Sequence, residues 1–174
     1  MEKKHSDLEK DSRFGLLLNK DTLITSKTDT KGVITYCNQD FMLYSGYNED
    51  ELIDAPHNIV RHKDMPKCVF KVLWDYIQSG KEIFAFVKNR TKFDEFYWVF
   101  TNITPSYDKD GKIIGYYSVR RKPNLNAIPT IEGLYKNLVS IESASGMNES
   151  LKALVAFIES NKKPYNQIVL ELQD

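Results

Sequence analysis

One segment of the chain carries apolar residues at helical spacing. Between residues 65 and 77 the apolar side chains recur every three or four positions and would share one helix face: Met65, Cys68, Val69, Val72, Leu73, Tyr76 and Ile77. Asp64 stands where an N-terminal cap belongs, and Gly80 stands where a helix ends. The pattern predicts an amphipathic helix between these two residues.

Strand-like segments lie on both sides of this helix. Five of them are visible: 23–27, 33–37, 82–88, 95–104 and 112–121. The first two surround D-T-K-G and the last two surround D-K-D-G, which are turn sequences. Asn38 and Asn48 are placed to cap short helices after the first hairpin. The predicted order is two strands, short helices, one longer helix and three strands.

The segment 95–104 is apolar on both alternating faces. Tyr97, Val99 and Ile103 would lie on one face, and Phe96, Trp98 and Phe100 on the other. A strand half exposed to water carries polar residues on one side. The second face is therefore expected to be covered, by the chain's own terminal helices or by a partner.

The two ends of the chain differ from this central part. Residues 1–13 are mostly charged and predict a mobile or partly helical lead-in. After Pro123 the pattern is helical again, with breaks at Gly146 and Pro164. We divide the chain into a lead-in (1–21), a central domain (22–122) and a helical extension (123–174). The extension is expected either to complete the core or to relay a signal.

Composition excludes several classes of function. Lys plus Arg and Asp plus Glu balance at 24 each, which argues against a nucleic-acid partner. Cys37 and Cys68 are far apart, and no secretory signal or long apolar span is visible, so a reduced cytoplasmic protein is expected. We find no nucleophile elbow, phosphate-binding loop or metal-ligand cluster, and an enzyme is not expected.

Three short blocks of sequence carry a family resemblance. D-A-P-H-N-I-V-R-H-K-D-M-P spans residues 54–66, V-K-N-R spans 87–90 and Y-W-V spans 97–99. In order and spacing they resemble PAS sensor domains, specifically the flavin-binding type of bacterial aerotaxis and energy-taxis receptors, over residues 22–122. The resemblance implies an α+β PAS fold: a five-stranded antiparallel sheet with short helices on one face, followed here by C-terminal amphipathic helices.

The residues of these blocks suit a flavin. The uracil-like edge of its ring needs a side chain that both donates and accepts, as Asn89 does. Its phosphates call for donors such as Arg61 and His62 in a loop. The resemblance implies cofactor-binding roles for Asn38, Arg61, His62, Asp64, Trp74, Asn89 and Tyr97.

Each of these residues also has an ordinary structural interpretation. Asn38 and Asp64 are placed to be helix caps, and Trp74 fits a hydrophobic core. Arg61 and His62 fit a solvated loop. Both interpretations stay open from the sequence.

The chain also departs from the flavin-binding pattern. Ile83 stands where the family has tryptophan, and Ala85 where it has glycine, so one aromatic wall is missing. Phe84 or Phe86 is expected to supply replacement ring surface. The cysteine that photoreceptive flavin domains place in the central helical loop is absent, which argues against a light-driven adduct.

The resemblance implies a cytoplasmic redox or energy sensor that binds FAD and signals to a separate chemotaxis transducer. That transducer is a membrane-associated protein or its cytoplasmic domain, so the sensor would lie at the inner membrane through its partner. Homodimerisation is a further expectation. The alternatives are a ligand-free PAS adaptor that dimerises through its sheet, or a PAS sensor of a small metabolite or of haem, with His57 or His62 as the axial ligand.

Overall fold

A computed structural model describes residues 4–174. It has seven strands: β1 (Lys10–Asp11), β2 (Gly15–Leu16), β3 (Ile24–Thr28), β4 (Ile34–Cys37), β5 (Ile83–Arg90), β6 (Phe96–Tyr107) and β7 (Ile113–Arg121). The α-helices are α1 (Gln39–Ser45), α2 (Glu49–Leu52), α3 (Lys67–Gln78), α4 (Ile128–Ser145), α5 (Met147–Ser160) and α6 (Tyr165–Gln173). Two 3₁₀ helices span His5–Asp7 and His57–Val60.

The five long strands form the predicted antiparallel sheet. Their order is β5-β6-β7-β3-β4, so the hairpin at the start of the central domain pairs with the last strand. Short helices and α3 follow the hairpin, in the order that the periodicity predicts. The predicted α+β class with C-terminal helices is confirmed.

The lead-in adds two strands that the sequence analysis missed. After the 3₁₀ helix, β1 and β2 form a small hairpin, and β2 runs parallel to the start of β6 beside Tyr97. A Cβ on Gly15 would lie 2.1 Å from the carbonyl oxygen of Phe96, so only glycine permits this approach. The lead-in also buries Leu8, Leu16 and Leu18 in the core, and only residues 1–3 lie outside the described part.

Two of the three predicted helix caps are confirmed. The side chain of Asn38 accepts a hydrogen bond from the amide of Phe41, and Asn48 does the same for the third residue of α2. Asp64 as the cap of α3 is wrong, because its carboxylate bonds instead to the ammonium of Lys88, 2.8 Å away. The first two backbone amides of α3 donate hydrogen bonds to the carboxylate of Glu142 in α4.

The face of β6 that carries Phe96, Trp98 and Phe100, called the outer face from here on, is covered by the terminal helices. This is one of the two alternatives that the sequence predicts. Trp98 is 3% exposed and stacks on Tyr135 of α4, with ring centres 6.2 Å apart. The Tyr135 hydroxyl donates to the carbonyl oxygen of Phe86, and Asn166 of α6 bonds to the free edge of β5. The extension therefore completes the core. No helix within residues 4–174 has the length and apolarity that a membrane crossing requires.

Candidate functional site

A cavity of about 270 Å³ lies between the inner face of the sheet and α3. The side chains of α3 and the sheet give it apolar walls: Phe70, Leu73, Trp74, Ile77, Val87, Ile103 and Tyr116. Polar groups come from the same strands and from the 3₁₀ segment before α3: Ser26, His57, Arg61, Asn89, Thr101, Ser118 and Arg120. The lining of the cavity is thus partly apolar and partly polar.

Strand alternation explains this lining. Side chains two positions apart share a face, so β5 turns Val87 and Asn89 toward the cavity while Lys88 points the other way. In β7 the same alternation brings Ser118 and Arg120 to the inner face. Phe84 and Phe86, the expected replacement walls, both lie on the outer face against Phe100, so that expectation is wrong.

A buried polar cluster forms around Arg120. One guanidinium nitrogen, Nη2, donates to Ser26 Oγ and to His57 Nε2, each at 2.6 Å. The guanidinium also lies over the ring of Phe41 at 4.9 Å. Burial and, next, the charge of Arg120 lower the pKa of His57 to about 3, so the imidazole is a neutral acceptor here.

Three polar atoms on the inner face have no hydrogen-bond partner among residues 4–174. They are Asn89 Nδ2, Tyr97 Oη and Arg120 Nη1. Tyr97 faces Asn89 across β5 and β6 and is fully buried. Burial raises the pKa of its hydroxyl, and the charge of Arg120 and the neighbouring Asn89 side chain oppose that shift, although the two side chains do not reach hydrogen-bond geometry. An unpaired buried donor costs about 1–3 kcal/mol. A ligand that presents acceptors would relieve this cost.

The structure brings together some of the residues that the sequence analysis singled out. Arg61, Trp74 and Asn89 line the cavity, and the backbones of Arg61 and Asn89 form an isolated bridge. Tyr97 lies beside the polar cluster. Trp74 packs edge-on against Tyr116 at 5.5 Å, so it is at once core and cavity wall.

The other three predicted residues lie outside the cavity lining. Asn38 holds the backbone of β3 and α1, since its side chain bonds to Leu23, Thr25 and Phe41. Asp64 pairs with Lys88 on the outer side of β5. His62 lies in a basic surface depression, which is lined by Arg61, His62, Lys63, Arg90 and Asp94.

Sequence reasoning missed Arg120 and considered His57 only as an iron ligand. The signal for Arg120 was present, because alternation along 112–121 places it on the same face as Ser118. That this face is the inner one follows only from the pairing of β7 with β3 and β6. His57 is brought to Ser26 by the loop before α3.

Comparisons with known proteins give consistent results. Residues 34–120 match the family model described as the PAS fold. The aerotaxis receptor of Escherichia coli (strain K12) is 39% identical over 134 residues, which are 77% of this chain and 26% of that protein. The nitrogen fixation regulatory protein of Klebsiella pneumoniae is 21% identical over 149 residues, 86% of this chain and 30% of that protein.

Solved structures show the same fold. The light-state structure of the blue-light photoreceptor Aureochrome1 LOV aligns with a TM-score of 0.54 at 19% identity, covering 70% of this chain and 91% of that chain. A variant of Vivid aligns with a TM-score of 0.52 at 16% identity, covering 57% and 81%. Against the curated relatives, by contrast, this chain spans less than a third of their length.

Proposed function

This chain belongs to the PAS fold family, and we propose that it is a redox sensor domain that holds a flavin, specifically FAD, without a covalent bond. One observation carries the proposal: the lining of a largely apolar cavity includes two residues, Asn89 and Arg120, whose buried donors have no partner among residues 4–174. Such donors call for a flat ligand with acceptors along one edge, and the flavin ring has this form.

The residues present fit the ring. Asn89 Nδ2 and Arg120 Nη1 are free to donate to edge carbonyls, while Trp74 and Phe70 supply apolar surface. Ile83 and Ala85, which stand where the family has tryptophan and glycine, are both buried but do not line the cavity, so β5 supplies no aromatic wall there. A bound flavin would supply reversible electron uptake.

The cavity volume supports a ligand that is only partly enclosed. About 270 Å³ lies just below the range of about 300–1,000 Å³ for sites that bury drug-sized ligands. We propose that this space holds the ring and that the rest of the dinucleotide leaves it past Arg61. That residue lines both the cavity and the basic depression with His62, Lys63 and Arg90, where phosphates would find donors.

Strand β5 offers a route for the signal. Asn89 faces the cavity, while the adjacent Lys88 bonds on the other side to Asp64 at 2.8 Å and to Glu132 of α4 at 3.4 Å. A change in the hydrogen bonding of Asn89 would shift β5 and with it the contact to α4. A coupling of about 1–3 kcal/mol is enough for a useful signal.

The similarity to an aerotaxis receptor supports the wider role that we propose. In this role the chain acts in the cytoplasm and passes its state to a membrane-associated chemotaxis transducer. The partner would contact a surface other than the outer face of β6, which α4 already covers. This coverage argues against the adaptor that dimerises through its sheet.

Visible absorption of the purified protein, before and after incubation with FAD, tests the cofactor. We expect flavin bands that dithionite bleaches, with less flavin retained by Asn89→Ala and Arg61→Ala. Asn48→Ala is the matched control, because that residue caps α2 and lies outside the cavity lining. Stoichiometric haem with no flavin uptake would contradict the proposal. We do not expect haem on His57, because its Nε2 already accepts a hydrogen bond from Arg120.

A further inference from the structure

Arg120 is a buried cation without a counter-ion. The residue is 3% exposed, and no carboxylate within residues 4–174 forms an ion pair with it. The two protein groups that accept from it, Ser26 and His57, are neutral. Buried charges in proteins are ordinarily paired, so this arrangement is unusual.

The guanidinium keeps its charge in this environment. Burial lowers the pKa of Arg120 to about 10, which leaves the group protonated at neutral pH. Tyr97, whose hydroxyl interacts with this charge, has a raised pKa and stays neutral as well. The polar end of the cavity therefore carries a net positive charge.

The direction of this charge matters as much as its presence. Arg120 is one of the residues that line the cavity, and its Nη1 lacks a partner while Nη2 is held by Ser26 and His57. The two bonds of Nη2 fix the guanidinium plane, and Nη1 is left buried and unpaired on a residue that lines the cavity. A charge-assisted hydrogen bond is stronger than a neutral one.

We propose that Arg120 sets the redox preference of the site: its unpaired, positively charged donor favours the reduced, negatively charged ring over the oxidised, neutral ring. This inference rests on the proposed flavin function. Dithionite would supply two electrons and the solvent one proton to turn the neutral ring into a monoanion, while Arg120 keeps all its protons. A cation near the ring edge is one of the means by which proteins tune a flavin.

Binding and reduction are linked through this preference. If the site holds the reduced ring more tightly than the oxidised ring, the bound flavin has a higher reduction potential than the free one, and the rise is proportional to the logarithm of the ratio of the two dissociation constants. A hydrogen bond to a charged group corresponds to about tenfold to hundredfold in this ratio. The ratio is therefore the quantity to measure.

The experiment compares the full chain with Arg120→Met and Arg121→Met. Arg121 is the next residue of β7 and is exposed, so its replacement removes the same charge without touching the cavity. Oxidised FAD is titrated in air and dithionite-reduced FAD under anaerobic conditions, and the midpoint potential of the bound flavin is measured by dye equilibration. Arg120→Gln, which keeps a donor but no charge, replaces the methionine variant if that variant does not fold.

We expect Arg120→Met to lose about tenfold to hundredfold of the preference for reduced FAD, with a lower midpoint potential, and Arg121→Met to keep both. Equal weakening of both redox states, or an unchanged ratio in a folded variant, would overturn the inference and leave the flavin proposal standing. A wild-type chain that binds neither form would overturn both.

Discussion

Lys88 and Asn89 are neighbours in β5 but lie on opposite faces of the sheet, and the rest of the chain treats them differently. On the outer face Lys88 has two carboxylates, Asp64 and Glu132, and the ring of Phe96 at 4.5 Å. On the inner face Asn89 Nδ2 has no partner in the described part of the chain. The charge of Lys88 is thus paired within the protein, whereas the amide nitrogen of Asn89 is available to the proposed ligand.

The same contrast holds for the larger side chains. On the outer face Trp98 is packed by Tyr135, and only its indole Nε1 lacks a partner among the described residues. On the inner face Arg120, which lines the cavity, and Tyr97, which lies beside Arg120, both keep an unpaired polar atom. The contrast supports a stabilising role for the outer face and the proposed ligand site on the inner face.

The largest effect is expected from a substitution that disrupts packing on the outer face. Trp98→Ala removes a buried ring that stacks on α4, and we expect a loss of about 3–5 kcal/mol of unfolding free energy, measured by urea denaturation. The folded fraction should still bind FAD, because Trp98 is absent from the cavity lining. A variant of normal stability that no longer binds FAD would show that the two faces are assigned the wrong way round.

The next largest effect tests whether His57, on the inner face, is neutral in the folded chain. His57 has a pKa of about 3 in the folded chain against 6.5 ordinarily, so between these values the unfolded chain binds one more proton. Stability should therefore fall as pH decreases from 6.5, by at most about 1.4 kcal/mol per pH unit for this one proton. Urea denaturation at pH 7 and pH 5 measures the loss.

His57→Asn should lose less stability over this interval than the wild type does. His62→Asn is the control, because the pKa of His62 is also lowered but the residue lies outside the cavity lining. An identical acid dependence in His57→Asn and the wild type would mean that His57 is not buried in its neutral form.

A smaller effect is expected at Asn38, where one substitution distinguishes a helix-capping role from a ligand-binding role. Asn38→Ala removes the cap of α1, and we expect a loss of about 1 kcal/mol of unfolding free energy with unchanged FAD affinity. The family resemblance implies a cofactor role for Asn38. That role would be supported over the cap alone if FAD affinity fell tenfold while stability held.

The smallest effect concerns the link between the extension and the cavity wall. Glu142 of α4 accepts from the amides of Lys67 and Cys68 at the start of α3. A negative charge at a helix N-terminus contributes about 0.3–1 kcal/mol, so Glu142→Gln should cost that much by urea denaturation. Glu159→Gln, an exposed residue in the last turn of α5, should cost less; equal losses would deny the capping role.

Local patterns explain why most of the fold could be predicted. The periodicity of α3, the five long strands and the caps Asn38 and Asn48 depend on residues close in sequence. The cap at Asp64 failed because Lys88, far along the chain, competes for its carboxylate. Strands of two residues, as in the lead-in, are too short to show a period.

The candidate site was only partly predictable for the same reason. Asn89 and Arg61 lie in short motifs that resemble a family, and both line the cavity. Arg120 belongs to no such motif, and its importance comes from Ser26 and His57, which the fold brings to it from two other elements. A buried cation cannot be distinguished from a surface one without knowing which strands flank it.

Titration of the purified chain with FAD, followed by flavin fluorescence, tests the contrast between the two faces most directly. The comparison is between wild type, Asn89→Ala on the inner face and Lys88→Gln on the outer face. We expect saturable one-to-one binding, weakened about threefold to tenfold by Asn89→Ala and unchanged by Lys88→Gln. No binding by the wild type, or equal weakening by both substitutions, would contradict the account.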